Sequence, residues 1–140
     1  MNIKILLQGK LKEPYFKLGV NEFQKRLRPY VDLKIIETDK LLEYCTSKPN
    51  MYLITLEITG NELTSEEFAQ KLKSIQQEGF WGEIVFLIGG SEGLAEDVRK
   101  LSNFKFSMSK LTFLHQEAVL ILTEQIYRAF KILNNETYHK

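Results

Sequence analysis

The sequence cannot cross-link itself, because Cys45 is its one cysteine. A lone thiol fits a reducing compartment, and with only His115 and His139 beside it a structural zinc site lacks ligands, so no metal is expected. No stretch approaches the roughly twenty apolar residues that a membrane span needs, and residues 1–10 are too polar and too short for a secretory signal. A cytoplasmic protein without membrane contact is therefore expected. An excess of one charge is also missing: 19 Lys and Arg against 18 Asp and Glu give a net charge of +1, unlike the strongly basic balance of a general nucleic-acid binder. The common nucleotide and hydrolase fingerprints are absent as well. There is no G-x-x-x-x-G-K-[ST], no G-x-G-x-x-G and no G-x-S-x-G, which disfavours phosphate cradling and hydrolysis.

What is present suits one soluble domain over residues 1–140, with 44% hydrophobic and 26% charged residues and no repeat, linker or low-complexity tract. The charges are unevenly placed. Residues 1–40 hold 9 Lys and Arg against 5 Asp and Glu, residues 41–100 hold 5 against 10, and residues 101–140 hold 5 against 3. A basic cluster such as Lys25, Arg26 and Arg28 suits either phosphate contact or an ordinary solvated helix face.

Apolar runs at Asn2–Gln8, Val31–Glu37, Met51–Glu57, Glu83–Ile88 and Phe104–Ser107 predict five strands. The fourth, EIVFLI, is almost continuously apolar, the pattern of a strand covered on both faces. Phe16, Val20, Phe23 and Leu27 form a helical stripe over Pro14–Tyr30, with Pro14 suited to the first turn. Thr64 followed by Glu67 is a capping box opening a helix to about Glu78, with Phe68, Leu72 and Ile75 facing the core. One helical turn is expected within Thr38–Asn50 and a short helix over Leu94–Leu101. The last helix, Gln116–Leu133, is apolar nearly all round, which calls for deep burial or for a second subunit; a homodimer is the favoured expectation. Alternating strands and helices predict an α/β fold with a mostly parallel sheet.

Gly89 and Gly90 directly follow the buried fourth strand, where open α/β sheets bind ligands, although a plain turn has the same signature. The segment Phe104–His115 mixes apolar residues with Ser107, Ser109, Lys110 and Thr112, which suits a flat heterocycle such as adenine or an ordinary connector. Arg128 suits a phosphate or a pair with Glu124 four residues earlier. His139 suits proton transfer or simple exposure near the chain end.

Four ordered strings carry a family resemblance: Phe86–Leu94 (FLIGGSEGL), Ser107–Phe113 (SMSKLTF) followed by His115, Glu124–Phe130 (EQIYRAF) and Tyr138–Lys140 (YHK). With Gly9–Glu13 and Glu22–Leu27 in the expected order, the chain resembles, nearly end to end, the RlmH family of SPOUT-class methyltransferases. The resemblance implies a SPOUT-type mostly parallel sheet with helices on both faces and a C-terminal trefoil knot. It implies S-adenosyl-L-methionine as cofactor, held by Leu56, Gly89, Met108, Ser109, Lys110, Leu111, Thr112 and Phe113. It further implies a homodimer that methylates N3 of a pseudouridine in helix 69 of 23S rRNA on the assembled ribosome.

Catalytic candidates implied in the same way are His115, Arg128, Tyr138 and His139. Methyl transfer is an in-line displacement at the sulfonium methyl, so alignment dominates and the N3 proton must leave. Leu114 stands where family members commonly have proline, Val119 where they commonly have arginine, and the connection Thr38–Asn50 is shorter by about a helix. An arginine lost near the substrate face implies weaker RNA binding. Alternatives are a ribosome-binding SPOUT protein with weakened catalysis, a SPOUT enzyme acting on tRNA, and a small-molecule nucleotide-binding enzyme.

Overall fold

The alternation within β4 (Glu83–Ile88) organises the architecture. In the computed structural model, which describes residues 2–140, this strand is buried at all six positions. Ile84, Phe86 and Ile88 enter one apolar cluster, while Val85 and Leu87 enter a second on the other side. Successive side chains of a strand point to opposite faces, so covering both faces requires a continuous apolar run. Phe86 is fully buried, and truncating such a ring to alanine costs about 3–5 kcal/mol.

β1 (Asn2–Leu7), β2 (Leu33–Glu37), β3 (Met51–Glu62) and β5 (Phe104–Ser107) complete a five-stranded sheet in the order β2-β1-β4-β3-β5. Every pairing in it is parallel. The larger cluster gathers α1 (Pro14–Leu27), α3 (Ser65–Gln77) and α5 (His115–Leu133) on one face. On the other, the smaller cluster is covered by α2 (Leu41–Cys45) and α4 (Glu96–Arg99). This is the α/β arrangement with helices on both faces that the sequence predicts.

Several boundaries differ for local reasons. α1 stops at Leu27 rather than Tyr30, since Pro29 has no N–H with which to continue the helical ladder; Tyr30 and Val31 donate instead to the Leu27 carbonyl. β3 runs five residues past Glu57. It pairs with β5 through Leu56, leaves the ladder, and rejoins at Asn61 and Glu62. In the gap a Cβ on Gly60 would lie 2.8 Å from the Lys105 carbonyl, so only glycine lets the two backbones come this close. α3 begins at the capping box as expected: the Glu67 N–H donates to Thr64 Oγ1, and the Thr64 N–H donates to the Glu67 carboxylate.

α5 packs between α1 and α3, and no residue from His115 to Leu133 is fully exposed. Burial inside one chain thus accounts for most of its apolar circumference without a second subunit. Val119 is fully buried in the main cluster. The expectation that this position faces substrate is corrected: the side chain is core, and the absence of arginine there removes no surface contact. The Arg128–Glu124 pair does form, at 2.9 Å.

Candidate active site

Because all five strands run the same way, their carboxyl ends converge on one rim of the sheet, the usual place for a ligand in open α/β folds. A cavity of about 510 Å³ opens there. Its walls are Leu56–Ile58 where β3 leaves the ladder, Ile88–Gly93 after β4, and the segment from Phe106 through His115 into α5. The volume lies within the range of small-molecule sites.

Glycine is a steric necessity on the β4 side. A Cβ on Gly89 would lie 2.4 Å from the Gly93 carbonyl carbon and 2.6 Å from the Leu94 nitrogen. Gly93 has φ +79°, and its N–H donates to the Gly90 carbonyl at 3.0 Å, closing a tight turn. The facing loop is shaped by its own serines. The buried Ser107 hydroxyl donates to the Ser109 carbonyl at 3.0 Å, and the Leu111 N–H donates to Ser109 Oγ at 3.0 Å. These bonds hold Met108, Leu111 and Phe113 as apolar walls opposite Leu56 and Ile88.

Seven of the eight cofactor candidates line this cavity: Leu56, Gly89, Met108, Ser109, Leu111, Thr112 and Phe113. Lys110 does not. Its side chain is 84% exposed and extends toward Glu62 at 3.9 Å, because the Ser109-centred turn directs it outward. Gly90, flagged with Gly89 in the sequence, lines the cavity too; Glu57, Ile58, Ser91–Gly93, Leu114 and Ala118 also line it and were not among the candidates. Gly93 belongs to the glycine cluster that the sequence displays; Glu57 and Ile58 read as ordinary strand, and nothing in the sequence marks them.

The four catalytic candidates separate into two places. His115 lines the cavity and also a second, adjoining one of about 810 Å³ that continues past Gly90–Gly93 toward Gln8, Gly9 and Lys10. Arg128, Tyr138 and His139 stand elsewhere, thirteen residues further along α5, roughly 20 Å at 1.5 Å per residue. There the tail is clasped to the helix. Tyr138 donates to Glu124 Oε2 at 2.7 Å, Arg128 Nη1 lies 3.1 Å from His139 Nδ1, and His139 Nε2 lies 2.7 Å from Glu66 Oε1. A guanidinium only donates, so His139 Nδ1 accepts and its proton sits on Nε2, facing Glu66. His139 is thus tied down rather than freely exposed. Burial, and then the bond to Glu124, raise the Tyr138 phenol above its ordinary value, which makes it a donor here.

Among the described residues no group of three His, Cys, Asp or Glu could hold a metal ion, and no helix is long and apolar enough to cross a membrane. Cys45 is buried, and burial pushes its thiol up to about 11.

The family model described as "Predicted SPOUT methyltransferase" matches residues 1–139. A ribosomal RNA large subunit methyltransferase H from Finegoldia magna is 46% identical over 160 aligned positions, covering all of both chains. The chain is a SPOUT methyltransferase of the RlmH family. The alignment spans 160 positions against the 140 residues of this RlmH-family chain, a difference of 20, so its relative carries a segment with no counterpart here. Solved structures share the fold. A methylase family protein from Haemophilus influenzae Rd KW20 superposes with a TM-score of 0.61 at 13% identity, over 99% of this chain and 70% of the other. The SpoU methyltransferase AviRb from Streptomyces viridochromogenes, solved in complex with AdoMet, gives 0.52 at 12% identity, over 91% and 57% respectively.

Proposed function

We propose that the protein transfers the methyl group of S-adenosylmethionine to N3 of a pseudouridine in helix 69 of 23S rRNA, on the assembled ribosome and in the cytoplasm. The observation that carries this reading is the full-length relationship to a ribosomal RNA large subunit methyltransferase H, in a chain that keeps a ligand-sized cavity at the strand ends.

The cavity suits the cofactor on its own chemistry. Leu56, Ile88, Met108 and Phe113 offer apolar walls for an adenine ring, and backbone groups of the serine-shaped loop offer polar contacts at its edge. Glu57 and Glu92 add negative charge beside a ligand whose sulfonium is positive. Gly89, Gly90 and Gly93 give the β4 side of the cavity stretches of bare backbone that a ligand can approach closely. When bound, the cofactor supplies an electrophilic methyl group. The residues around it align the acceptor and exclude water. His115, at the junction of the two cavities, is the candidate of the four that this reading takes as acceptor of the N3 proton. In this reading the loop Met108–Phe113 is also the threaded segment of the family's trefoil knot.

A homodimer fits this reading because one chain separates its tail cluster from its cavity by most of α5. Half-buried Ile121 lies outside both core clusters, and on the neighbouring α1 Tyr15 and Leu18 are 63% and 72% exposed. Pairing these residues about a two-fold axis perpendicular to α5 sets two α5 helices antiparallel, and brings each tail cluster toward the opposite protomer's cavity.

The test is incubation of the protein with labelled S-adenosylmethionine and ribosomes lacking the modification. Label in helix 69 is expected; its absence overturns the reading, and label confined to transfer RNA replaces the substrate.

A further inference from the structure

Three consecutive backbone amides in the loop after β1 are held by side chains from other elements. The Leu11 N–H donates to Glu37 Oε2 at 2.9 Å, at the end of β2. The Lys12 and Glu13 N–H groups both donate to one atom, Gln116 Oε1, at 2.6 and 3.0 Å. Gln116 is the second residue of α5, directly after His115. A single amide oxygen therefore fixes the Lys12–Glu13 end of the loop against the junction of the two cavities, while Glu37 holds Leu11. A Cβ on Gly9 would lie 3.9 Å from His115 Nε2, so the loop backbone passes close to that imidazole.

The fixed loop forms one wall of the 810 Å³ cavity and presents Lys10 and Lys12 there. Both lysines are exposed, and neither has a carboxylate within ion-pair distance among the described residues. This wall is the cationic one, since Asp39 and Glu92 also line the cavity and repel a polyanion. An immobilised loop carrying two unpaired ammonium groups, beside the residue that joins this cavity to the cofactor cavity, fits the phosphates flanking a nucleotide whose base reaches His115.

We propose that Gln116 is a positioning residue for the acceptor RNA: by clamping the Lys12–Glu13 end of the loop it holds Lys10 and Lys12 against the phosphates on either side of the target nucleotide. This inference rests on the RNA-methylating function proposed above. A freed loop keeps its lysines but orders them only on binding, so the loss falls on KM for RNA and not on the methyl-transfer step.

The experiment compares wild type, Gln116→Leu, Gln116→Glu and the double variant Lys10→Ala/Lys12→Ala, all as full chains. Amide hydrogen exchange is read at Lys12 and Glu13, and kcat and KM for ribosomes are read at several salt concentrations. Gln116→Leu should speed exchange at both amides and raise KM several-fold with kcat little changed. Gln116→Glu keeps an acceptor oxygen at that position and should keep the exchange slow. The lysine variant should raise KM and flatten the salt dependence by about one unit of slope per lysine, at unchanged affinity for S-adenosylhomocysteine. An unchanged KM and salt slope in the lysine variant overturns the proposal even if Gln116→Leu does not fold. Fast exchange in Gln116→Leu at unaltered KM overturns it as well. If wild type itself transfers no methyl group to ribosomal RNA, the function proposed above falls together with this inference; wild-type turnover with insensitive variants removes the inference alone.

Discussion

Gly89 faces Gly93 so closely that a Cβ on the first would lie 2.4 Å from the carbonyl carbon of the second. The atoms in the way are backbone, which cannot swing aside as a side chain can. Gly89→Ala should therefore open the Gly90–Gly93 turn, destabilise the fold by about 1–3 kcal/mol and deform the cavity wall. Wild type should gain about 2.7 kcal/mol of stability from S-adenosylhomocysteine at 100 times its dissociation constant. In the variant a thermal shift should show little of that gain, and an undiminished shift would place the ligand elsewhere.

Val119 tests where the family's commonly found arginine would have to go. It is fully buried among the helices, so Val119→Arg places an unpaired charge in the core. A loss of about 3–5 kcal/mol in urea unfolding is expected. An unchanged midpoint with stronger RNA binding would show that the position opens toward substrate.

Leu114 should tolerate the reverse change. Its φ of −58° and ψ of 141° match proline, and its N–H makes no hydrogen bond. Leu114→Pro should leave the fold intact and add about 0.4–1 kcal/mol by restricting the unfolded chain. A lower unfolding midpoint would count against the backbone assignment at this helix start.

The far end of the sheet carries a pH-dependent contribution. Burial alone would raise the Glu83 carboxyl, but Lys4 at 2.9 Å and Lys48 at 3.1 Å outweigh it and hold the group below its ordinary value of 4.5. Lys4 is raised above its ordinary 10.5, first by its bond to Tyr44 and then by Glu83. A depressed acid stabilises the fold above its unfolded value and loses that contribution as pH falls through the folded one. A raised base contributes fully below 10.5 and loses it as pH rises through its folded value. Wild type should thus lose stability below about pH 4.5 more steeply than Glu83→Gln, as measured by urea midpoints across the acid range. Parallel curves would remove Glu83 from the account.

Much of the fold is legible because its determinants are local or periodic. The run Glu83–Ile88 reports a doubly covered strand, Thr64 with Glu67 reports a helix start, and Phe68, Leu72 and Ile75 report the buried side of α3. The cavity is legible chiefly through family likeness, since Met108–Phe113 has no period to read. What stays hidden depends on distant partners. β3 continues to Glu62 only because β5 supplies Phe106 and Ser107 to pair with, and Lys110 points outward because Ser109 turns the chain beneath it. The clasp at His139 needs Glu66, more than seventy positions earlier, to be carried there by α3.

The strand order leaves two edges, and both are held by short strands, the five residues of β2 and the four of β5. An edge strand displays unpaired backbone groups that a stray segment from another molecule can extend into a larger sheet. Brief edges, with exposed Lys34 on one and exposed Lys105 on the other, give such a segment little length to grip and a charge to bury. The arrangement that converges every strand end on the cavity also protects the protein against edge-to-edge aggregation.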